Sequence, residues 1–104
     1  MMEFYYKNGE LYCEDVPVKR IIDEVGTPAY IYSTKAFTER LKQIQEAFAE
    51  VNPLICYSVK SCSNIHILRL LAQNGAGADI VSGGELYRAI TAGIPPERLS
   101  LIHI

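Results

Sequence analysis

Cys56-Tyr57-Ser58-Val59-Lys60-Ser61-Cys62-Ser63-Asn64 is the stretch on which the fold turns. The apolar run Leu54-Ile55-Cys56 leads into it directly after Pro53 and reads as a short buried strand. Lys60 stands where that strand ends, and Ser61, Ser63 and Asn64 then signal a loop and a helix start. A lysine in that place has two readings. One is structural: the aliphatic stem packs and the ammonium reaches solvent. The other is chemical: a lysine held in a cleft forms a Schiff base with a carbonyl or with pyridoxal phosphate. The local residues favour the structural reading; the residues downstream favour the chemical one.

Downstream, a helix is expected from about Asn64 to Asn74, with Ile65, Leu68, Leu71 and Ala72 as its buried stripe and Gly75 just past its end. Ala78-Asp79-Ile80-Val81 is a short apolar strand with an acid inside it. Ser82-Gly83-Gly84-Glu85 opens a third helix that Gly93 closes, and after Pro95-Pro96 another strand begins at Arg98-Leu99. Strand, helix, strand, helix, strand with short loops is the pattern of parallel βα units in an α/β fold. An open doubly wound sheet and a (β/α)8 barrel both satisfy it. A barrel takes about 250 residues, so on that reading the chain, at 104, holds only its start. Gly75-Ala76-Gly77 follows a helix rather than a strand and lacks the later glycine of a dinucleotide fingerprint.

Upstream, Lys7-Asn8-Gly9 separates Phe4-Tyr5-Tyr6 from Glu10-Leu11-Tyr12-Cys13, a hairpin signal. A lone hairpin is marginal in water, so this one is expected to join a sheet made elsewhere. Pro17 opens a short helix over Val18 to Val25 that Gly26 ends, and Ala29-Tyr30-Ile31-Tyr32 reads as a strand. Ser33 or Thr34 caps the longest helix, roughly Lys35 to Glu50, whose stripe of Phe37, Leu41, Ile44 and Phe48 reads as core.

Composition removes several classes. Ten basic against twelve acidic residues, net charge -2, offer no basic footprint for nucleic acid. No apolar run is long enough to span a bilayer, and the first residues lack the features of a secretory signal. Cys13, Cys56 and Cys62 are odd in number and without metal-ligand spacing, so reduced thiols in a cytoplasmic protein are expected, and no metal site. His66 has neither ligand spacing nor a nucleophile partner and reads as a surface or packing histidine.

The acids carry the second clue. Burying Asp79 is costly unless it is paired or hydrogen-bonded. If Lys60 and Asp79 end neighbouring parallel strands, they share the C-terminal end of the sheet, where barrels do chemistry. Ser82-x-x-Glu85 matches a capping box, so Glu85 serves a helix start, an active site, or both.

Tyr57-Ser58-Val59-Lys60-Ser61-Cys62-Ser63-Asn64 resembles the lysine motif of the alanine-racemase-like (fold type III) pyridoxal-phosphate decarboxylases. Gly77-Ala78-Asp79-Ile80-Val81-Ser82-Gly83-Gly84-Glu85-Leu86-Tyr87-Arg88-Ala89 is similar to the matching segment of the diaminopimelate branch, and Gly26-Thr27-Pro28-Ala29-Tyr30-Ile31-Tyr32 fits the same family. Ser58, Ser61 and Cys62 depart from it; the family often has alanine at the first two positions and asparagine at the third. The resemblance implies the N-terminal part of a pyridoxal-phosphate-binding (β/α)8 barrel from residue 34 onward. Residues 1–33 would be a β segment that belongs with a C-terminal β-domain. It implies Lys60 as the Schiff-base lysine, with Asp79 and Glu85 beside the cofactor, and a homodimer with shared active sites. The implied reaction is decarboxylation of meso-2,6-diaminopimelate to L-lysine. The alternatives are another enzyme of the fold, acting on ornithine, lysine, arginine or carboxynorspermidine, a racemase, or a non-catalytic relative. A fragment of this length is expected to be inactive alone. Leu99-Ser100-Leu101-Ile102-His103-Ile104 is also what CTG-TCT-CTT-ATA-CAC-ATC encodes, which resembles a transposon end used in sequencing libraries. Those six residues are therefore expected not to be native, although a genuine strand would have the same apolar character.

Overall fold

A computed structural model describes residues 2–101. The contacts group them into two compact units that divide between Ala36 and Phe37.

The first unit is an antiparallel meander followed by a helix. Strand β1 (Phe4–Lys7) pairs with β2 (Glu10–Cys13), and β2 with β3 (Val16–Pro17). Asn8 and Gly9 both sit at positive φ, 52° and 78°, which the two-residue hairpin between Lys7 and Glu10 requires. Tyr5 and Tyr12 face each other in register and their rings stack at 5.6 Å. Helix α1 (Val18–Val25) starts after Pro17, and the Gly26 N–H closes it on the Ile22 carbonyl. Residues 29–32 form no strand, contrary to the sequence reading. An extended segment becomes a strand only when a neighbour takes its backbone groups. No strand pairs with these residues among those described, and Tyr30 is 91% exposed.

Helix α2 (Thr34–Ala47) crosses the division between units. The second unit continues with β4 (Cys56–Ser58), α3 (Ile65–Gln73), β5 (Gly77–Ile80), α4 (Gly83–Ala92) and β6 (Leu99–Leu101). Its three strands are parallel and lie in chain order, β4-β5-β6. The first strand begins two residues later than the apolar run suggested, because Ile55 only lends its carbonyl to Gly77 before the ladder starts at Cys56. Leu99 and Leu101 pair as β6, which either origin proposed for residues 99–104 would supply; residues 102–104, His103 among them, lie outside the described residues.

Period-two alternation sorts the sheet into two faces. Tyr57, Ala78, Ile80 and Leu99 pack with Val59, Leu68, Ala89, Ala92 and Ile94 under α3 and α4. A second cluster of Leu41, Ile67, Leu71 and Ala76 is flanked by Phe37, Ile55 and the same Tyr57. Burying each large aliphatic side chain stabilises by about 1.5–3 kcal/mol. The opposite face carries Ser58 and Asp79 side by side, with Gly77 behind them. A Cβ at Gly77 would lie 2.9 Å from the Cys56 sulfur and still closer to the Arg98 carbonyl, so only glycine fits.

The α2 stripe is only half core. Leu41 is buried, but Ile44 and Phe48 are 42% and 56% exposed. The helix presents the line Phe37, Leu41, Gln45 instead, and Gln45 Nε2 donates to the Asn74 carbonyl at the end of α3. Ile67, which the sequence reading of α3 omitted, is buried because α3 lies between both clusters.

Candidate functional site

The site lies at the C-terminal ends of β4 and β5. Directly after β4 the chain makes a 3-10 turn, Val59–Ser61, with Lys60 at its middle. Val59 is fully buried in the core and anchors the turn from below. The Cys62 N–H returns to the Val59 carbonyl at 3.1 Å, and Ser61 Oγ donates to the Ser58 carbonyl at 2.7 Å. Asn64 then caps α3, its Oδ1 accepting from the His66 N–H at 2.9 Å. The exposed His66 side chain is outside the site, as the sequence indicates.

After β5 the passage into α4 is much shorter. Ser82 Oγ accepts from the Glu85 N–H at 3.1 Å, and Glu85 Oε1 accepts from the Val81 N–H at 2.9 Å. This is the reciprocal logic of a capping box, reaching one residue further back than the usual partner. Glu85 is therefore a helix-start residue, and it also lines a cleft of about 330 Å³ with Val59, Lys60, Ser63, Ser82, Gly84 and Arg88. That volume is at the small end for ligand pockets.

The structure thus brings Lys60 and Glu85 to one cleft. Asp79 does not line it. It sits in register with Ser58, two residues before Lys60, on the sheet face turned away from the helices. Its Oδ1 is buried and has no hydrogen-bond partner among the described residues. A buried carboxylate oxygen without a donor costs about 1–3 kcal/mol or more. Burial and, after it, the negative charge of Asp79 push the nearby Cys56 thiol up from its ordinary value. Among the described residues no cluster of His, Cys, Asp and Glu could hold a metal ion, and no helix is long and apolar enough to cross a membrane.

Two side chains at the site had no role in the sequence reading. Tyr57 Oη donates to the Cys62 carbonyl at 3.0 Å and, at 3.0 Å from Ser61 Oγ, shares that hydroxyl's single proton with the Ser58 carbonyl. Burial raises the Tyr57 phenol above its ordinary range, an effect the Ser61 hydrogen bond offsets in part. Arg88 Nη1 donates to the Ser63 carbonyl at 3.2 Å. The spacing of Glu85 and Arg88, three residues apart on one helix, was the available signal that they share a face.

Comparison with known proteins places this arrangement. The family model for the pyridoxal binding domain of pyridoxal-dependent decarboxylases matches residues 34–103. The chain belongs to that family. Among individual relatives, it is 51% identical over 94 residues to a diaminopimelate decarboxylase of Aquifex aeolicus, covering 90% of this chain and 22% of that protein. It is also 51% identical over 83 residues to the diaminopimelate decarboxylase of Neisseria meningitidis serogroup A, covering 80% and 20%. A solved structure from Aquifex aeolicus superposes with a TM-score of 0.91 at 47% identity, covering 98% of this chain and 25% of that one. The diaminopimelate decarboxylase of M. jannaschii in complex with L-lysine superposes at 0.88 with 30% identity, covering 94% and 24%. The chain therefore spans about a fifth to a quarter of the length of these relatives. Its α/β architecture is that of the N-terminal part of their pyridoxal-binding domain.

The residues present fit pyridoxal phosphate. An exposed lysine stands on a tied turn at a cleft, and a buried carboxylate oxygen two residues away along the neighbouring strand wants a donor.

Proposed function

We propose that the protein to which this chain belongs decarboxylates meso-2,6-diaminopimelate to L-lysine with pyridoxal phosphate, as a cytoplasmic homodimer built on a (β/α)8 barrel. The observation that carries the reading is Lys60: a lysine at the end of β4, on a turn whose neighbouring carbonyls are taken, opening on a cleft. Relatives named diaminopimelate decarboxylase at 51% identity, and a related structure holding L-lysine, support the substrate.

When bound, pyridoxal phosphate supplies an electron sink for the pair released as the carboxylate departs. The chain's own residues do the rest. Lys60 binds the cofactor through its amine, and the 3-10 turn fixes where that amine can reach. Asp79 offers its free Oδ1 to a donor on the sheet face. Glu85 keeps one oxygen on the Val81 N–H, so its carboxylate is held still at the cleft wall. Residues 1–33 act as a β segment of a second domain, and those from 34 onward as the opening of the barrel.

Carbon dioxide release from meso-diaminopimelate, with little from ornithine, is the expected result for the full-length enzyme. The reverse preference would assign it to another member of the family.

A further inference from the structure

The segment between β4 and α3 is a backbone-accounting problem. Its middle carbonyls lie between the β4 ladder and the first turn of α3, and buried or half-buried backbone groups are almost always paired. The Ser58 and Val59 carbonyls are satisfied within the turn itself. The next two acceptors past Lys60 and Ser61 are satisfied by side chains from elsewhere. Tyr57, on the sheet, takes the Cys62 carbonyl, and Arg88, on α4, takes the Ser63 carbonyl.

We infer that Tyr57 and Arg88 are positioning residues for Lys60, holding the lysine turn between the sheet and α4 through two consecutive carbonyls. The inference rests on the reading of Lys60 as the cofactor lysine. Three features support it. The Tyr57 ring is fixed independently of its hydroxyl: it borders both core clusters and meets Phe37 edge-on, with centroids 6.3 Å apart at 69°. Its Oη therefore has a set position from which to hold a loop. Arg88 sits one helical turn beyond Glu85 on the cleft side of α4, so its guanidinium reaches the turn from the opposite wall. The two contacts hold the carbonyls on either side of Ser63, immediately before the α3 cap at Asn64. With Val59 buried beneath, the turn is fixed at its start, its middle and its exit. Reacting groups displaced by about 1 Å lose on the order of a hundredfold in rate, so such a frame matters to a lysine that must meet one atom of a cofactor.

The test uses the full-length holoenzyme as wild type, Tyr57→Phe, Arg88→Met and Arg88→Lys. Pyridoxal phosphate affinity, the visible circular dichroism of the bound cofactor and the melting temperature of the apoprotein are measured for each. Tyr57→Phe keeps the ring and its packing and removes only the hydroxyl. It is expected to lower the apoprotein melt only slightly, as the Cys62 carbonyl loses its donor, while weakening cofactor binding about tenfold and reducing the visible dichroism, which reports ring orientation. Arg88→Met is expected to do the same, and Arg88→Lys to recover part of the signal. Wild-type affinity and dichroism in both Tyr57→Phe and Arg88→Met would overturn the inference. So would a loss confined to the melt. Borohydride fixation and peptide mapping of the wild type separate this from the reading beneath it. An adduct on Lys35 or Lys42 defeats the assignment of Lys60. An adduct on Lys60 with unmoved dichroism in the variants defeats only the positioning roles.

Discussion

The two passages that leave β4 and β5 begin at the same end of one parallel sheet and are built on different plans. The passage from β5 to α4 is two residues long and organises itself: Ser82 and Glu85 exchange hydrogen bonds with the backbone of the same turn. The passage from β4 to α3 runs from Val59 to Asn64; it has local hydrogen bonds at Ser61, Cys62 and Asn64, and adds ties from outside, by Tyr57 and Arg88. In the short passage the charged side chain is committed to the backbone. In the long one, Ser61 within the turn and Tyr57 and Arg88 beside it supply the ties, and Lys60 carries none of that work. On the proposed function, the Lys60 amine needs a rigid base that does not consume the amine itself, and a longer turn with outside ties supplies one.

The sharpest way to break this contrast is to remove the amine. Lys60→Ala is expected to abolish the borohydride-fixed cofactor adduct and to lower turnover by about 10³-fold or more, with the apoprotein melt unchanged. An adduct of wild-type yield in the variant would mean that the long turn serves no lysine chemistry.

Asp79 comes next. Its free Oδ1 is a cost in the isolated fold, so Asp79→Ala should leave stability unchanged or raise it by about 1 kcal/mol. Turnover is expected to fall by about 10²-fold. Denaturant titration beside steady-state kinetics decides the matter. A destabilised variant whose folded fraction turns over normally would make Asp79 a structural residue.

The self-organised passage predicts the opposite pattern. Ser82→Ala removes the acceptor for the Glu85 N–H and should cost about 1 kcal/mol of stability, seen as a lower denaturation midpoint, while cofactor affinity moves less than twofold. A large affinity loss without a stability change would show that Ser82 belongs to the ligand and not to the helix.

The same contrast explains what the sequence made legible. The caps of α3 and α4, the Asn8-Gly9 hairpin and the glycines after α1, α3 and α4 depend on residues a few positions apart, so their signals are intact in the string. The parallel βα order followed from them. Residues 29–32 resist such a reading because β-branched and aromatic residues state a preference that only a neighbouring strand can realise. Ile44 and Phe48 mislead for a related reason: periodicity gives a helix an apolar stripe but does not say which line of it meets a partner. Among the residues that line the cleft, Lys60 and Glu85 were legible through their strand-end and cap positions. Arg88 was not, because a single arginine on a helix reads as solvated, and its partner Ser63 lies 25 residues away.

The smallest effect concerns a third helix start, which mixes both plans. Ser33 caps α2 locally, its Oγ accepting from the Ala36 N–H at 3.1 Å, yet the same hydroxyl donates to Glu14 Oε2 at 2.7 Å, across 19 residues. Glu14 also accepts from the Lys35 N–H at 3.3 Å. The Ser33 hydroxyl first, and the Lys35 N–H after it, hold the Glu14 carboxyl below its ordinary value. A carboxyl lowered in the folded state contributes stability that is present above its unfolded value, about 4.3, and is lost as pH falls through the folded value. Glu14→Gln keeps an oxygen for Ser33 to donate to and removes the titration. At pH 7 the variant should melt slightly below the wild type, and the gap should close as pH drops below about 4. The melting temperature measured from pH 7 to pH 3 in both proteins tests this. A constant gap across that range would show that the Glu14 charge does nothing for the helix start, and that Ser33 caps α2 by the same local means as Ser82 caps α4.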